Sequence, residues 1–139
     1  TVDAGLIIHE SRFTYRDHGL ASLVDLGAWW ERTSGAALPL GGIAVRRDLG
    51  DATVARVAAA VRASVEAARR DPAASAAYVA AHAQEMSAEV RDRHIATYVN
   101  DFTLDVGEEG RAAVRALFDH AAERGLMPAV RPDLFWDGA

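Results

Sequence analysis

The chain has 139 residues, the length of one ordinary domain, and 50% of them are apolar while 25% are charged, which is typical of a globular protein. Its formal net charge of -5 argues against a general nucleic-acid-binding surface, and the absence of cysteine excludes disulfides, thiolate metal sites and a cysteine nucleophile. No apolar run reaches the length of about 18 residues that a membrane span needs, so no membrane partner is expected.

Three short apolar segments near the start of the chain predict β-strands. Residues 2–8 carry the β-branched Ile7 and Ile8 directly before a polar region, and β-branched side chains favour extended backbone. Residues 23–26 and 43–45 are short apolar runs of the same kind. We therefore expect a strand in each of the three segments.

A polar segment and one short helix are expected among these strands. The segment from Glu10 to Gly19 is polar and contains glycine, which predicts a loop or a broken helical turn. A short helix is predicted from Gly27 to Thr33, with Gly35 as its left-handed stop. Neighbouring side chains on a helix point about 100° apart, so one of Trp29 and Trp30 should lie in the core and the other at the surface.

The pattern changes at Asp51, after which helical periodicity dominates. Asp51 is a candidate N-cap for a first long helix and Ser87 for a third, because their side-chain oxygens can accept bonds from free backbone N–H groups. Pro72 suits the first position of a second helix. The four helices are predicted over residues 51–70, 72–86, 87–100 and 108–125, with a connector at 102–107 and an extended tail at 127–139 that packs as a strap or frays.

These elements together predict an α/β protein in which a short βαβ piece precedes a helical flank. A few short strands do not form a stable sheet face alone, and the helices need a surface to cover. The sequence therefore has the character of the back portion of a larger α/β protein.

His9 is the candidate catalytic residue. It follows an apolar predicted strand, and a strand that ends in a titratable side chain presents that group at the rim of its sheet. A free imidazole titrates near pH ~6.5, which suits proton transfer close to neutrality. A lone histidine at a strand end is more often a structural residue, and that alternative stays open. The adjacent Glu10 would point the other way, so it is expected to be a supporting or surface group.

Five strings in order along the chain carry a family likeness: DAGLIIHE at residues 3–10, LPLGG at 38–42, HAQEM at 82–86, YVNDFTLD at 98–105 and GEEG at 107–110. Together they resemble the 1,4-dihydroxy-6-naphthoate synthases of the futalosine route to menaquinone. A sister enzyme family shares the fold, and the LIIHE and PLGG strings favour the naphthoate synthases over it.

The resemblance implies a two-lobed fold like that of the type II periplasmic binding proteins, with the substrate between the lobes. Members of the family are considerably longer, so this chain corresponds to their C-terminal half, and the N-terminal half is absent. Residues 1–42 are then the end of the inserted lobe and the crossover. Residues 43–139 are the return into the first lobe with its four helices. A fragment and a split protein with a complementing N-terminal half both stay open.

The resemblance also implies a reaction, the conversion of cyclic dehypoxanthinyl futalosine to 1,4-dihydroxy-6-naphthoate by a carbon–carbon lyase that uses no cofactor and no metal. In the family the histidine after Leu-Ile-Ile is the proton acceptor, which corresponds to His9. Breaking a carbon–carbon bond while a ring becomes aromatic requires removal of a proton, so a base at this position suits the chemistry.

Two groups of residues are candidates for substrate binding. Arg12, Thr14 and Tyr15 lie just past His9 and can meet a carboxylate or hydroxyl groups, Arg12 through its bidentate fork. Gly41 and Gly42 allow the backbone to approach a ligand closely. A solvated loop at the first group and plain hinge geometry at the second are the structural alternatives.

The remaining histidines do not predict a metal site. The run from His82 to Met86 lacks the His-Glu-x-x-His spacing, and neither Glu85 nor His94 completes a zinc triad with it. A helix-surface or packing role is expected for them, as for His18 and His120.

The leading hypothesis is therefore a cytoplasmic lyase half that acts on a small anionic molecule through His9 and is inactive without the missing half. The alternatives are a non-catalytic two-lobed module that binds a small anion, and an inactive, purely structural helical fragment. The oligomeric state is left open by the sequence.

Overall fold

The computed structural model describes residues 2–9, 11–83 and 87–136, and all regular structure within these ranges is helical. Two short 3-10 turns, Tyr15–His18 and Arg47–Leu49, accompany the α-helices. The α-helices are α1 (Ser11–Thr14), α2 (Leu26–Ser34), α3 (Asp51–Arg70), α4 (Ala73–His82), α5 (Ala88–Tyr98), α6 (Asp101–Leu104) and α7 (Gly107–Glu123).

The predicted strands are wrong. Residues 2–8 and 43–45 join no hydrogen-bonded ladder, and Leu26 of the third predicted strand begins α2 instead. The described part of the chain is thus neither an α/β fold with a βαβ piece nor a periplasmic-binding-protein-like fold. A strand gains its stability from backbone bonds and side-chain packing against a neighbouring strand. Here Leu6 is 75% and Ile43 72% exposed, so the apolar pattern has nothing to pack on.

The short helix α2 follows the prediction closely because both of its ends have local caps. The Asp25 carboxylate accepts a bond from the backbone N–H of Ala28 at 3.1 Å. Gly35 closes the other end at a φ of 70°, a left-handed conformation that favours glycine, and its N–H bonds the carbonyl of Glu31.

The long helices also lie where they are predicted, with different end contacts. α3 has the predicted bounds, but the N-cap position is Gly50, and Asp51 is the first helical residue. The Asp51 carboxylate accepts a bond from the indole N–H of Trp136 at 3.3 Å instead of capping the helix. α5 starts as predicted, since the hydroxyl of Ser87 accepts the N–H of Val90 at 3.4 Å.

Two boundaries differ from the prediction. α4 ends at His82, Ala83 is already extended, and residues 84–86 of the predicted helix lie outside the described residues. The predicted connector contains the helical turn α6, which begins with a reciprocal capping box. In this box the Asn100 carboxamide oxygen accepts the N–H of Phe102, and the Thr103 hydroxyl accepts the N–H of Asn100 at 3.1 Å.

The largest buried side chain among the described residues is Trp30, which joins α2 to α7. It is 6% exposed, its indole N–H donates to the carbonyl oxygen of Ala37 at 3.3 Å, and its ring meets the edge of His120 at 5.4 Å between centroids. The adjacent Trp29 is 49% exposed. The expectation that the two tryptophans divide between core and surface is therefore confirmed.

Helix α7 also packs tightly on the turn that precedes it. Gly110 is buried, and a methyl group there would lie 2.6 Å from the Val106 Cγ2 atom and 3.1 Å from the Phe102 Cδ1 atom. Because real Cβ atoms essentially never come within 3.0 Å of another atom, a larger residue here would have to displace Val106, and glycine lets α7 pack closely against Val106 and Phe102.

The described part of the tail, residues 127–136, is the predicted strap rather than a frayed end. Arg47 bonds the carbonyl oxygen of Asp133, and its guanidinium lies 3.6 Å from the Asp133 carboxylate. The Phe135 ring lies under the guanidinium of Arg111 at 5.0 Å and that of Arg115 at 5.6 Å. The strap therefore ties α7 to the start of α3.

Much apolar surface remains exposed. The accessible surface is 10775 Å², whereas a compact monomer of this mass would expose about 7,000 Å². The exposed large apolar residues concentrate in the segments predicted as strands and their flanks, and include Val2, Leu6, Ile8, Leu20, Leu23, Val24, Leu40 and Ile43. Within the described ranges, no helix is long and apolar enough to cross a membrane.

Candidate functional site

His9 lies in a strained backbone position at the end of the first extended segment. Its φ is 57°, a left-handed value that is uncommon for a residue with a side chain. The His9 carbonyl accepts the backbone N–H of Arg12 at 3.2 Å, so the strained residue leads directly into α1. The imidazole is exposed. A base that must reach a bound molecule needs such exposure.

Helix α5 holds this segment in place through two ring contacts. The His9 ring lies almost parallel to that of His94, at 12° and 6.4 Å between centroids. Phe13 follows His9 by four residues, and the Arg93 guanidinium lies 4.9 Å from the centre of the Phe13 ring in a cation–π contact. Arg93 and His94 are consecutive on α5. Their contacts with Phe13 and His9 therefore lie on both sides of Glu10, which itself lies outside the described residues.

Two aromatic pairs continue from His94 across α5 and α4. His94 and Tyr98 are four residues apart on α5, and their ring centroids are 4.5 Å apart. Tyr78 and His82 have the same spacing on α4 and meet edge to face at 4.2 Å. Residues four apart on a helix share a face, so each pair follows directly from the helical periodicity.

A pocket of about 290 Å³ opens between α4 and α5. We call it the α4–α5 pocket. Its polar lining is His82 from α4 and Arg91 and His94 from α5, and its apolar lining includes Val79 and Ile95. His94 thus lines the pocket, and its ring stacks on that of His9.

The sequence assigned His82 and His94 only packing or surface roles, whereas the structure brings both of them to one pocket. Within the described ranges, no group of three His, Asp or Glu side chains is placed to hold a metal ion. Glu85, the third residue considered for such a site, lies outside the described residues.

Arg12, a predicted substrate-binding residue, pairs with an acidic side chain of α2. Its guanidinium lies 3.1 Å from the Asp25 carboxylate, and about half of each side chain is exposed. The backbone N–H of Ala28 chiefly, and the Arg12 charge in addition, lower the pKa of Asp25 below its ordinary value. The pair ties α1 to the start of α2.

We expect Asp25→Ala to lower the free energy of unfolding by about 1 kcal/mol at neutral pH, because it removes the cap of α2. A carboxyl whose pKa is lowered by folding stabilises the protein above its unfolded pKa, and this stabilisation is lost as the pH falls through the lowered value. The difference between wild type and Asp25→Ala should therefore shrink as the pH falls from about 5 to below the ordinary pKa of an aspartate. Urea unfolding at several pH values measures it.

Asp25→Asn is the matched control, because asparagine caps helices well and does not titrate in this range. It should stay close to wild type at neutral pH. An equal loss for Asp25→Ala at pH 7 and at the acid end would contradict the assignment of the stabilisation to the carboxylate.

The other predicted substrate residues lie in two places. Thr14 and Tyr15 follow His9 through α1 and are half-buried, and the Tyr15 hydroxyl accepts a bond from Arg16 at 3.2 Å. Gly41 and Gly42 are exposed in a non-helical segment, and a methyl group at either would meet no atom within 4 Å. The structure thus groups Arg12, Thr14 and Tyr15 beside His9, while the two glycines stand in open space.

Comparison with known proteins identifies the group to which this arrangement belongs. The profile of a family described as menaquinone biosynthesis matches residues 1–123. The chain belongs to the menaquinone biosynthesis family. The match includes His9, the helices α4 and α5 that line the α4–α5 pocket, and all of α7.

Two members of the menaquinone biosynthesis family are similar to nearly all of the chain. The 1,4-dihydroxy-6-naphthoate synthase of Streptomyces coelicolor is 57% identical over 132 residues, which are 95% of this chain and 47% of that protein. The enzyme of the same name from Thermus thermophilus is 56% identical over 132 residues, 94% of this chain and 48% of that protein. The chain spans about half the length of these relatives.

The sequence predicts His9 as a site residue and assigns no ligand-binding role to Tyr78, Arg91 or His94. These three residues line one pocket in the structure, although they lie on two different helices, and no single-helix pattern reveals this. One signal was available: an aromatic residue and a histidine recur at a four-residue spacing on both helices, as Tyr78 with His82 and as His94 with Tyr98.

Proposed function

We propose that this chain is part of a 1,4-dihydroxy-6-naphthoate synthase, a carbon–carbon lyase of menaquinone biosynthesis that acts on cyclic dehypoxanthinyl futalosine. The observation that carries the proposal is the identity of 56% and more over about 95% of the chain to two enzymes of that name. Unrelated functions on a shared fold do not keep such identity across a whole segment.

We propose His9 as the proton acceptor of this reaction. It is exposed, it stacks on His94 beside the α4–α5 pocket, and its backbone is held at a strained value. Strained residues held by their surroundings are common at functional sites. When the carbon–carbon bond breaks, the substrate loses a proton as its ring becomes aromatic, and a neutral imidazole can accept that proton. Arg12, Thr14, Tyr15, Gly41 and Gly42 stay predictions for contacts with the anionic substrate.

We further propose that activity requires the remaining part of the relatives' length. The accessible surface of 10775 Å² is well above that of a compact monomer, and the excess includes large apolar side chains such as Val2, Leu23 and Ile43. Apolar patches of this kind mark surfaces that another part of a protein covers. A complementing half would cover them and supply the rest of the substrate site. A cytoplasmic location is part of the same proposal and is compatible with the absence of cysteine.

An activity assay tests these proposals. We expect no naphthoate when cyclic dehypoxanthinyl futalosine is incubated with this chain alone. We expect turnover when the chain is joined to, or mixed with, the half that the Streptomyces coelicolor relative has in addition. Mass spectrometry of the product provides the measurement. Turnover by the chain alone would refute the need for a complement, and inactivity of the complete assembly would refute the lyase assignment.

A further inference from the structure

Helix α1, which follows His9 in the chain, is too short to hold its own position. It has four residues, and a single helical turn gains too little from its hydrogen bonds to offset the cost of forming it. The left-handed backbone of His9 just before it is unfavourable for a residue with a side chain, and such strain persists only where surrounding contacts hold it. The direction of the His9 imidazole therefore depends on the contacts that hold α1.

Two consecutive side chains of α1 contact two different helices. Arg12 pairs with Asp25 at the start of α2, at 3.1 Å between guanidinium nitrogen and carboxylate oxygen. Phe13 is half-buried, and the centre of its ring lies 4.9 Å from the Arg93 guanidinium of α5. Consecutive residues on a helix point about 100° apart, so the two contacts hold different faces of α1. A rotation of α1 about its axis would break at least one of them.

The contact between Phe13 and Arg93 depends on the chemistry of both partners. Its distance is within the limit of about 6 Å for a cation–π interaction, which needs a ring face and a positive charge. On α5 the Glu89 carboxylate, one turn earlier, lies 3.8 Å from the same guanidinium. About half of the Arg93 side chain is exposed, and exposed cation–π contacts contribute little to stability. Loss of this contact should therefore reorient α1 rather than unfold the protein.

We propose that Phe13 and Arg93 are positioning residues for the reaction assigned to His9, because their contact fixes the rotation of α1 and with it the direction of the imidazole. The inference rests on the proposed function, since it concerns a reaction in which His9 accepts the proton. His94 stacks on the imidazole itself, whereas Phe13 and Arg93 act on the backbone that carries it. A displacement of about 1 Å in a reacting group can lower a rate about a hundredfold.

Steady-state kinetics of the complete enzyme test the proposal. We expect Phe13→Leu and Arg93→Gln each to lower kcat about tenfold and to leave KM within about twofold, because the base is misdirected while the substrate still binds. The double variant should be within about twofold of either single variant, since both changes remove the same contact. Phe13→Tyr keeps the ring and Arg93→Lys keeps the charge, so each should restore kcat to within about threefold of wild type.

Phe135→Leu is the matched control, because Phe135 also lies under an arginine, with 5.6 Å between its ring centre and the Arg115 guanidinium. It belongs to the strap, which contributes no residue to the proposed reaction, so kcat should stay within about twofold of wild type. Circular dichroism establishes that each variant is folded. If Phe13→Leu misfolds, Arg93→Gln decides, because it changes a half-exposed side chain.

Four results would overturn the positioning role. They are a wild-type kcat in the folded single variants, a loss confined to KM, a double variant slower than either single variant by the full tenfold, and an equal loss in Phe135→Leu. A wild-type complete enzyme without turnover refutes the proposed function and this inference together. An active wild type with unchanged Phe13→Leu and Arg93→Gln refutes this inference alone.

Discussion

Replacement of His9 by glutamine in the complete enzyme is expected to lower kcat by about a thousandfold, within the range typical for loss of a general base. Glutamine keeps a hydrogen-bonding side chain but cannot accept a proton near neutral pH. Substrate binding should change by less than about tenfold, because the imidazole acts on the proton in the transition state rather than on the bound ground state. Steady-state kinetics and a binding titration together measure the two effects.

Two further histidine substitutions make this result interpretable. His18→Gln changes an exposed histidine on the first 3-10 turn and should leave turnover within about twofold, since His18 has no role in the proposed scheme. His9→Asn inserts a residue that tolerates the left-handed backbone at φ 57°, so it separates loss of the base from strain in the backbone. Wild-type turnover in His9→Gln would reject His9 as the proton acceptor.

Replacement of Trp30 by alanine is expected to lower the free energy of unfolding by about 3 to 5 kcal/mol, the usual range for removing a buried tryptophan. Trp30 is 6% exposed, packs edge to face on His120 and donates to the carbonyl of Ala37. Its loss leaves a cavity between α2 and α7 in a structure with few other buried side chains. Urea unfolding followed by circular dichroism gives the midpoint and the free energy.

The adjacent tryptophan provides an unusually close control. Trp29→Ala removes the same side chain from the same helix, but Trp29 is 49% exposed, so we expect a loss below about 1 kcal/mol. If Trp30→Ala fails to fold, Trp30→Phe keeps an aromatic ring without the indole N–H and should show an intermediate loss. Equal effects of Trp29→Ala and Trp30→Ala would contradict the packing of α2 on α7.

The helices could be predicted from the sequence because their ends depend on nearby residues. Asp25 and Gly35 cap α2, and Ser87 caps α5, each through a bond to a residue within four positions. Helix α6 was missed although its signal is also local, because its capping box uses Asn100 with a threonine at the third helical position instead of the more usual Glu or Gln.

The strands could not be predicted in the same way, because a strand needs a partner that may be far away in the sequence. The β-branched residues of the segment 2–8 favour extended backbone, and most of this segment is indeed non-helical. Propensity sets the local conformation only, and no neighbouring strand lies beside it among the described residues. The α/β prediction is wrong because a local preference for extended backbone does not establish that two strands pair.

The candidate site likewise contains one residue that a local sequence pattern indicates and others that only the fold brings together. His9 is predicted from its string, which resembles a family motif, and from its place at the end of an apolar run, and it stays a prediction. The α4–α5 pocket was missed because His82 and Arg91 belong to different helices and line one pocket only in the folded chain. A search for aromatic and histidine residues at a four-residue spacing on successive helices would have indicated His82 and His94 as candidate pocket residues.

The backbone at His9 has a consequence for laboratory evolution of this protein. A left-handed residue with a side chain is disfavoured by about 1 to 2 kcal/mol relative to glycine, so glycine or asparagine at position 9 would relax the chain. Selection for heat resistance alone should therefore enrich variants that have discarded the imidazole. In a library screened for thermal stability and for catalysis in separate rounds, the first screen would favour glycine or asparagine at position 9, and the second would favour histidine.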